Sequence, residues 1–208
     1  MPLDLHVADC IRAFPTSPLA TLGDAQPWEW TARAPEIVRT LIASLSGDDF
    51  VIDGDIARHR SARIEDGAVL KGPLILGARC FVAAGAYLRG GNWVDEDCVI
   101  GPGSELKSSF LFARTTLAHF NFVGDSVVGR DVNLEAGSVV CNFRNERIDR
   151  QVRVRWNGRI QPIGVEKFGA LIGDGSRLGA NSVVAPGALL LPGTVVARAG
   201  LLDQDAEG

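Results

Sequence analysis

The chain has 208 residues, 46% of them apolar and 22% charged, and a net charge of −4. That is enough apolar chain for a real core, as one large domain or one domain with an appendage, and the charge balance gives no global electrostatic case for nucleic acid. No apolar run approaches the roughly 20 residues that span a bilayer, MPLDLHVADC lacks a basic then apolar leader, and Cys10, Cys80, Cys98 and Cys141 show no CxxC pair and no zinc-ligand spacing. A cytoplasmic protein with free thiols and no membrane partner is expected.

Residues 1–51 stand apart from the rest of the chain, as an N-terminal helical segment. A short helix is expected around 7–13, before the turn-rich FPTSP at 14–18. PEIVRTLIASL, from Pro35, predicts a second helix, with proline at the first helical position and Glu36 in the first turn. Its apolar face is Ile37, Val38, Leu41, Ile42 and Leu45, and Gly47 is placed to stop it. Trp28 and Trp30, in QPWEW, are expected to pack this segment onto something larger, with a ligand role as the alternative.

The period then changes to six. Ile64, Leu70, Leu76, Val82, Leu88, Val94, Ile100 and Leu106 are evenly spaced and aliphatic, and a small residue often follows four positions later: Ala68, Cys80, Ala86, Cys98, Ser104. This period fits neither an amphipathic helix nor a lone strand. It predicts a parallel β-helix over 52–202, in which three hexads make one triangular coil and residues 18 apart stack at about 4.8 Å. The steps shorten to five between Leu106 and Leu111 and between Val123 and Val128, and the repeat returns from Ile172 to Val196. Between them, 142–169 is a basic insertion with a hairpin signal, alternating residues around Asn157-Gly158, expected to project from the prism and reach a neighbouring subunit. The tail, 203–208, reads as polar and flexible.

Stacking arithmetic places candidate chemistry on this scaffold. Cys80 and Cys98 stack at the small inward position; the spacing permits a disulfide, but buried free thiols are favoured. Lys71, Arg89 and Lys107 are 18 apart and predict a ladder of like charges along one edge. Screening by acidic neighbours and solvent is one reading of this ladder, evenly balanced for Lys71; for Arg89 and Lys107, near His119, a phosphate site is favoured over it. His119, in LAHFNFVGD, is the one histidine of the repeat, and imidazole is the natural proton acceptor at neutral pH. His6 and His59 lie outside the repeat and offer no metal-binding partner to it. Asn133 and Asn142 either point amides at the same edge or simply favour turns.

The stretch HFNFVGDSVVGRDVNLEAGSVVCNF, followed by a basic hairpin and KFGALIGDGSRLGANSVVAPG, resembles the hexapeptide-repeat acyltransferases. It is similar to the acetyltransferase domain of the bifunctional N-acetylglucosamine-1-phosphate uridyltransferase/glucosamine-1-phosphate acetyltransferase, and more so to the C-terminal domain of archaeal-type sugar-1-phosphate nucleotidylyltransferases. The resemblance covers about 27–200 and is specific in 85–142. It implies an all-β, left-handed parallel β-helix and a homotrimer with active sites between subunits. It further implies His119 as general base on a sugar amine, Arg89 and Lys107 on the sugar phosphate, and Asn133 and Asn142 orienting sugar and acetyl group. Ala136 and Ala180 would lie by the acetyl-CoA thioester, where backbone N–H groups stabilise the oxyanion. The chain departs from the pattern at Phe122, a tyrosine in the family; at Glu135, a glycine; and in the arm, where arginines, with Arg150 and Arg153 as the candidates, stand for lysines. No stretch resembles the glycine-rich motif of the nucleotidylyltransferase domain, so the acetyltransferase part is expected to stand alone.

The expected activity is therefore acetyl-CoA-dependent acylation of an amino sugar phosphate, such as glucosamine-1-phosphate, or of a nucleotide sugar, with no metal. The alternatives are a non-catalytic sugar-nucleotide-binding or assembly module, and an acyltransferase with another acceptor or a longer acyl donor.

Overall fold

The computed structural model describes residues 5–23 and 25–206; the first four residues of MPLDLHVADC and the last two of the tail lie outside it. Three parallel sheets wind into a left-handed prism. Sheet A runs Phe50–Asp53, Ile56–His59, Leu74–Leu76, Asn92–Val94, Phe110–Leu111, Val127–Val128, Ala170–Ile172 and Ala188–Leu190. Sheet B runs from Arg63–Ile64 to Val195–Val196 and sheet C from Val69–Leu70 to Leu201–Leu202. Only the first pair of sheet A is antiparallel, so the prism begins with the strand at Phe50.

The aliphatic anchors of the hexads form one core cluster, buried with their small companions Cys80, Ala86 and Cys98. Register follows the expected arithmetic: Leu88 pairs with Leu106, 18 on, and Leu106 with Val123, 17 on, where a hexad has lost a residue. The lost residue comes from the corner between sheets C and A. There Gly90-Gly91-Asn92 gives way to Ser108-Ser109 and Asp125-Ser126, and buried polar groups bridge the coils: Asn92 Oδ1 accepts from Ser109 N–H, Ser109 Oγ from Ser126 N–H, and Ser126 Oγ from Ala170 N–H. Such a ladder satisfies backbone donors that a dry corner would leave unpaired.

A second core lies outside the prism, on sheet A. Trp28, Trp30, Ile37, Val38 and Leu41 pack with Ile75, Trp93, Phe110, Leu171 and Leu189. Sheet A is thus buried on both faces, which explains its continuous apolar strands LIL, ALI and ALL. The covering elements are α1 (Val7–Cys10), α2 (Pro27–Ala32) and α3 (Ala34–Ala43). Both tryptophans are core, as their size predicts. Helix α3 places Pro35 second rather than first and ends at Ser44, short of Gly47, because the Ser44 N–H and hydroxyl both bond back to the Leu41 carbonyl.

Two expectations are corrected. The arm does form its hairpin, Arg153–Trp156 with Arg159–Pro162 around Asn157-Gly158, both at positive φ. It does not project. Val152 and Val154 are fully buried in the second core beside Leu189 and Phe168, so the arm folds back on its own sheet A. The described part of the tail is not loose either. The buried Arg144 holds Asp203, Arg147 pairs with Asp205, and the Gln204 side chain bonds both backbone groups of Leu189. The basic arm and the acidic tail are each other's counter-charge. No helix is long and apolar enough to cross a membrane among the described residues.

Candidate active site

Every coil passes from sheet B to sheet C through a four-residue corner with its third residue at positive φ: Gly67, Gly85, Gly103, Phe120, Gly137, Asn181, Ala199. That is the backbone of a type II turn, which leaves the N–H of its second residue outside the turn's own hydrogen bond. Corners stack through backbone bonds, Phe120 N–H to Pro102 O at 3.0 Å, Gly137 N–H to His119 O at 2.9 Å, Asn181 N–H to Ala136 O at 2.9 Å and Ala199 N–H to Ala180 O at 2.8 Å. The second positions therefore form a column, Pro102, His119, Ala136, Ala180 and Arg198, with about 4.8 Å between rungs. His119 is exposed, and its ring makes no hydrogen bond or ion pair among the described residues. The two rungs above it carry only methyl groups, and Arg198 stands on the rung beyond them.

A buried polar ladder fixes this corner. Asn121 accepts from Ser104 Oγ, and its amide nitrogen donates to the Glu135 carbonyl at 2.8 Å and to Ser138 Oγ at 2.9 Å. The His119 turn is thereby tied to the coils below and above it. The two alanine amides expected at the thioester are unequal. Ala136 N–H has no partner among the described residues, whereas Ala180 N–H donates to Glu135 Oε2 at 2.9 Å. Arg198 grips the same carboxylate at 2.7 and 2.8 Å, and the guanidinium, with the Ala180 N–H, holds the Glu135 carboxyl below its usual range.

The other candidates lie across sheet C. Arg89 and Lys107 stack in register as their spacing predicts, but they do not form an unrelieved ladder. Arg89 lies 2.6 Å from Glu105, Lys107 Nζ contacts both Asp125 oxygens at 2.6 and 2.8 Å, and Lys71 sits over the Tyr87 ring. Each of Arg89 and Lys107 reaches an acid on the following coil, and the next rung above Lys107 is Gly124. Asn142 Nδ2 donates to the same Asp125 carboxylate, so Lys107, Asp125 and Asn142 form one chain. Phe122 stands in register between Glu105 and Val139, in the middle of the face. Asn133 does not join them. It projects from sheet B, in line with Thr116 and Arg177, on the far side of the His119 corner.

Arg150 and Arg153 are also taken elsewhere, Arg150 over the Phe143 ring and Arg153 onto Asp149. The arm cation that does reach this face is Lys167. It lines a cavity of about 560 Å³ together with Lys107, Asp125, Glu166, Thr31 and Pro35. Sequence reasoning missed Lys167, Asp125 and Asn121. Asn121 was legible, because it fills the small inward position four residues after Leu117. Lys167 was not, because only the fold-back of the arm brings it to Lys107. Among the described residues no cluster of three or more His, Cys, Asp or Glu is placed to hold a metal ion.

No protein-family model matches the chain. Among curated proteins it is similar to the bifunctional protein GlmU of Methanococcus vannielii, 27% identical over 185 residues, which are 88% of this chain and 44% of that protein. It is 32% identical over 157 residues to a bifunctional sugar-1-phosphate nucleotidylyltransferase/acetyltransferase of Sulfurisphaera tokodaii, covering 73% of this chain and 39% of that one. It is 34% identical over 151 residues to YaiX, a putative uncharacterized acetyltransferase of Escherichia coli K12, covering 71% and 64%. The chain thus spans less than half the length of the first two.

Proposed function

We propose that this chain, which resembles the hexapeptide-repeat acyltransferases and is similar to the sugar-1-phosphate nucleotidylyltransferase/acetyltransferases, is an acetyl-CoA-dependent N-acetyltransferase for an amino sugar phosphate or nucleotide sugar. The observation that carries this reading is the corner column, an unencumbered imidazole below two outward alanine amides. In the reaction, the acceptor's amine nitrogen attacks the thioester carbonyl while His119 takes its proton. The Ala136 and Ala180 N–H groups face the oxyanion that forms. Collapse expels the CoA thiolate, which receives the proton from His119, leaving an amide and free CoA. Arg89 and Lys107, joined by Lys167, hold the acceptor's phosphate. Asn142 orients the sugar, and Phe122 offers it a ring face in place of a phenol. Asn133 meets the ligand from sheet B.

A homotrimer completes the site in this proposal. His119 stands on an outward corner, and Val69, Val183 and Leu201 leave apolar surface on sheet C and Val195 on sheet B; a neighbour's face would enclose the corner in a cleft. Four free thiols suit the reducing cytoplasm.

The test is acetyl-CoA turnover with glucosamine-1-phosphate and related amino sugars. His119→Ala is expected to lower kcat by about 10²- to 10⁴-fold with little change in acetyl-CoA affinity; equal rates for the two proteins would remove His119 from the mechanism. One observation favours a second reading, a sugar-nucleotide-binding module without catalysis: the Ala180 amide is already bonded to Glu135. Calorimetry that detects the nucleotide sugar but no acetyl-CoA would select it.

A further inference from the structure

The residue one step beyond each sheet B anchor forms an outward column of its own: Glu65, Ala83, Gly101, Ala118, Glu135, Gly179, Ala197. From Ala83 to Ala197 it is small at every rung but one. At that rung, directly beside the His119 corner, Glu135 sends its carboxylate up to the Ala180 N–H of the coil above, at 2.9 Å, and Arg198 closes over it with two hydrogen bonds of 2.7 and 2.8 Å. The same device occurs at the far end of the prism, where Glu65 Oε2 accepts from Ala84 N–H at 2.8 Å. A glutamate at this column position therefore reaches the free amide of the next corner as a consequence of the coil geometry. What differs is the side: Ala84 stands two rungs below the imidazole, past Pro102, whereas Ala180 stands two rungs above it, past Ala136, whose N–H is free among the described residues.

We propose that Glu135 and Arg198 form an ionic latch that withholds the Ala180 amide from the acyl donor until the thioester carbonyl displaces the carboxylate. The proposal rests on the acetyltransferase reading and concerns the regulation of that site. A carboxylate and a thioester carbonyl compete for one N–H, so the latch weakens donor binding in proportion to its own stability and leaves the chemical step of the bound complex untouched. A charge-assisted hydrogen bond is among the stronger ones, but this pair is partly exposed, with Arg198 largely in solvent, which cuts its worth towards that of a surface pair. The expected effect is a factor of about three to ten in acetyl-CoA affinity.

The experiment is calorimetric titration of acetyl-CoA into the full chain, with steady-state rates alongside. Glu135→Gly is expected to bind acetyl-CoA about three- to ten-fold more tightly than wild type, lowering KM for acetyl-CoA while kcat at saturation is unchanged. Glu135→Gln, which keeps the side chain's length and loses the ion pair, is expected to fall between the two and guards against a folding defect in the glycine variant. Glu65→Gly, which opens the equivalent amide on the opposite side of the imidazole from Ala136 and Ala180, is expected to bind as wild type does. Equal or weaker binding by both Glu135 variants would overturn the latch while leaving the acetyltransferase reading in place. Absence of acetyl-CoA binding in wild type and both variants would overturn that reading, and the latch with it.

Discussion

Arg144 offers the sharpest test of how the arm and the C-terminal segment are joined. Its side chain is 1% exposed, its two terminal nitrogens contact both Asp203 oxygens at 2.7 and 2.8 Å, and one of them also donates to the Pro186 carbonyl at 2.9 Å. Arg144→Ala removes all three bonds and leaves a carboxylate that is only 17% exposed without its cation. Breaking a buried pair by removing one partner costs roughly 3–5 kcal/mol. Asp203 lies close to the chain end and can swing towards water, so about 2–3 kcal/mol is expected, or a fall in Tm of about 5–10 °C for a chain of this size. Urea unfolding measures it, and hydrogen exchange should show residues 203–205 losing protection. The pH dependence has a definite sign. The guanidinium holds the Asp203 carboxyl below its ordinary range, and a carboxyl with a depressed folded value stabilises the fold above the unfolded value, about 3.9, and ceases to do so as pH falls through the lower folded one. The gap between wild type and Arg144→Ala should therefore be full at pH 6–7 and close below about pH 4. A loss under about 0.5 kcal/mol at pH 7, with unchanged exchange at 203–205, would refute the account.

Two further outcomes come from the packing. Burial pushes the Cys10 thiol up to about 11, and the Cys98 thiol is raised by its hydrogen bond with Cys80 and by burial; at neutral pH these thiols should react with a disulfide reagent far more slowly in the native protein than in denaturant, and a rapid native reaction at either would contradict the placement. A Cβ at Gly101 would overlap the Ala118 carbonyl next to the His119 turn, so Gly101→Ala should destabilise by about 2–4 kcal/mol through backbone displacement, and a change within about 0.5 kcal/mol by thermal unfolding would show that the corner yields more freely than the stacking allows.

The prism itself was legible because a six-residue period is a local property. Each anchor from Ile64 to Val196 declares its inward position without knowledge of its neighbours, and counting to 18 then gives which residues stack. The same arithmetic placed Arg89 on Lys107 and Cys80 on Cys98. It did not give the partners of those cations, because Glu105 and Asp125 reach them diagonally, at offsets that depend on side-chain length and on where a hexad is shortened. Nor did it show that the shortening falls at the corner between sheets C and A, leaving the His119 corner regular.

What the sequence by itself determined is the repeat, its faces and the coil on which His119 sits, since these come from periodicity and from the steric preferences of turns. What only the tertiary structure decided is everything that depends on chain separated by an insertion. Basic residues and an NG turn describe a hairpin equally well whether it projects or folds back, and it was burial of Val152 and Val154 against sheet A that settled the arm, brought Lys167 to Lys107, and gave the acidic tail its arginines. The fate of the Ala180 amide has the same origin. Glu135 is 45 residues away in sequence and one coil away in space, and the competition between them exists only once the coils are stacked.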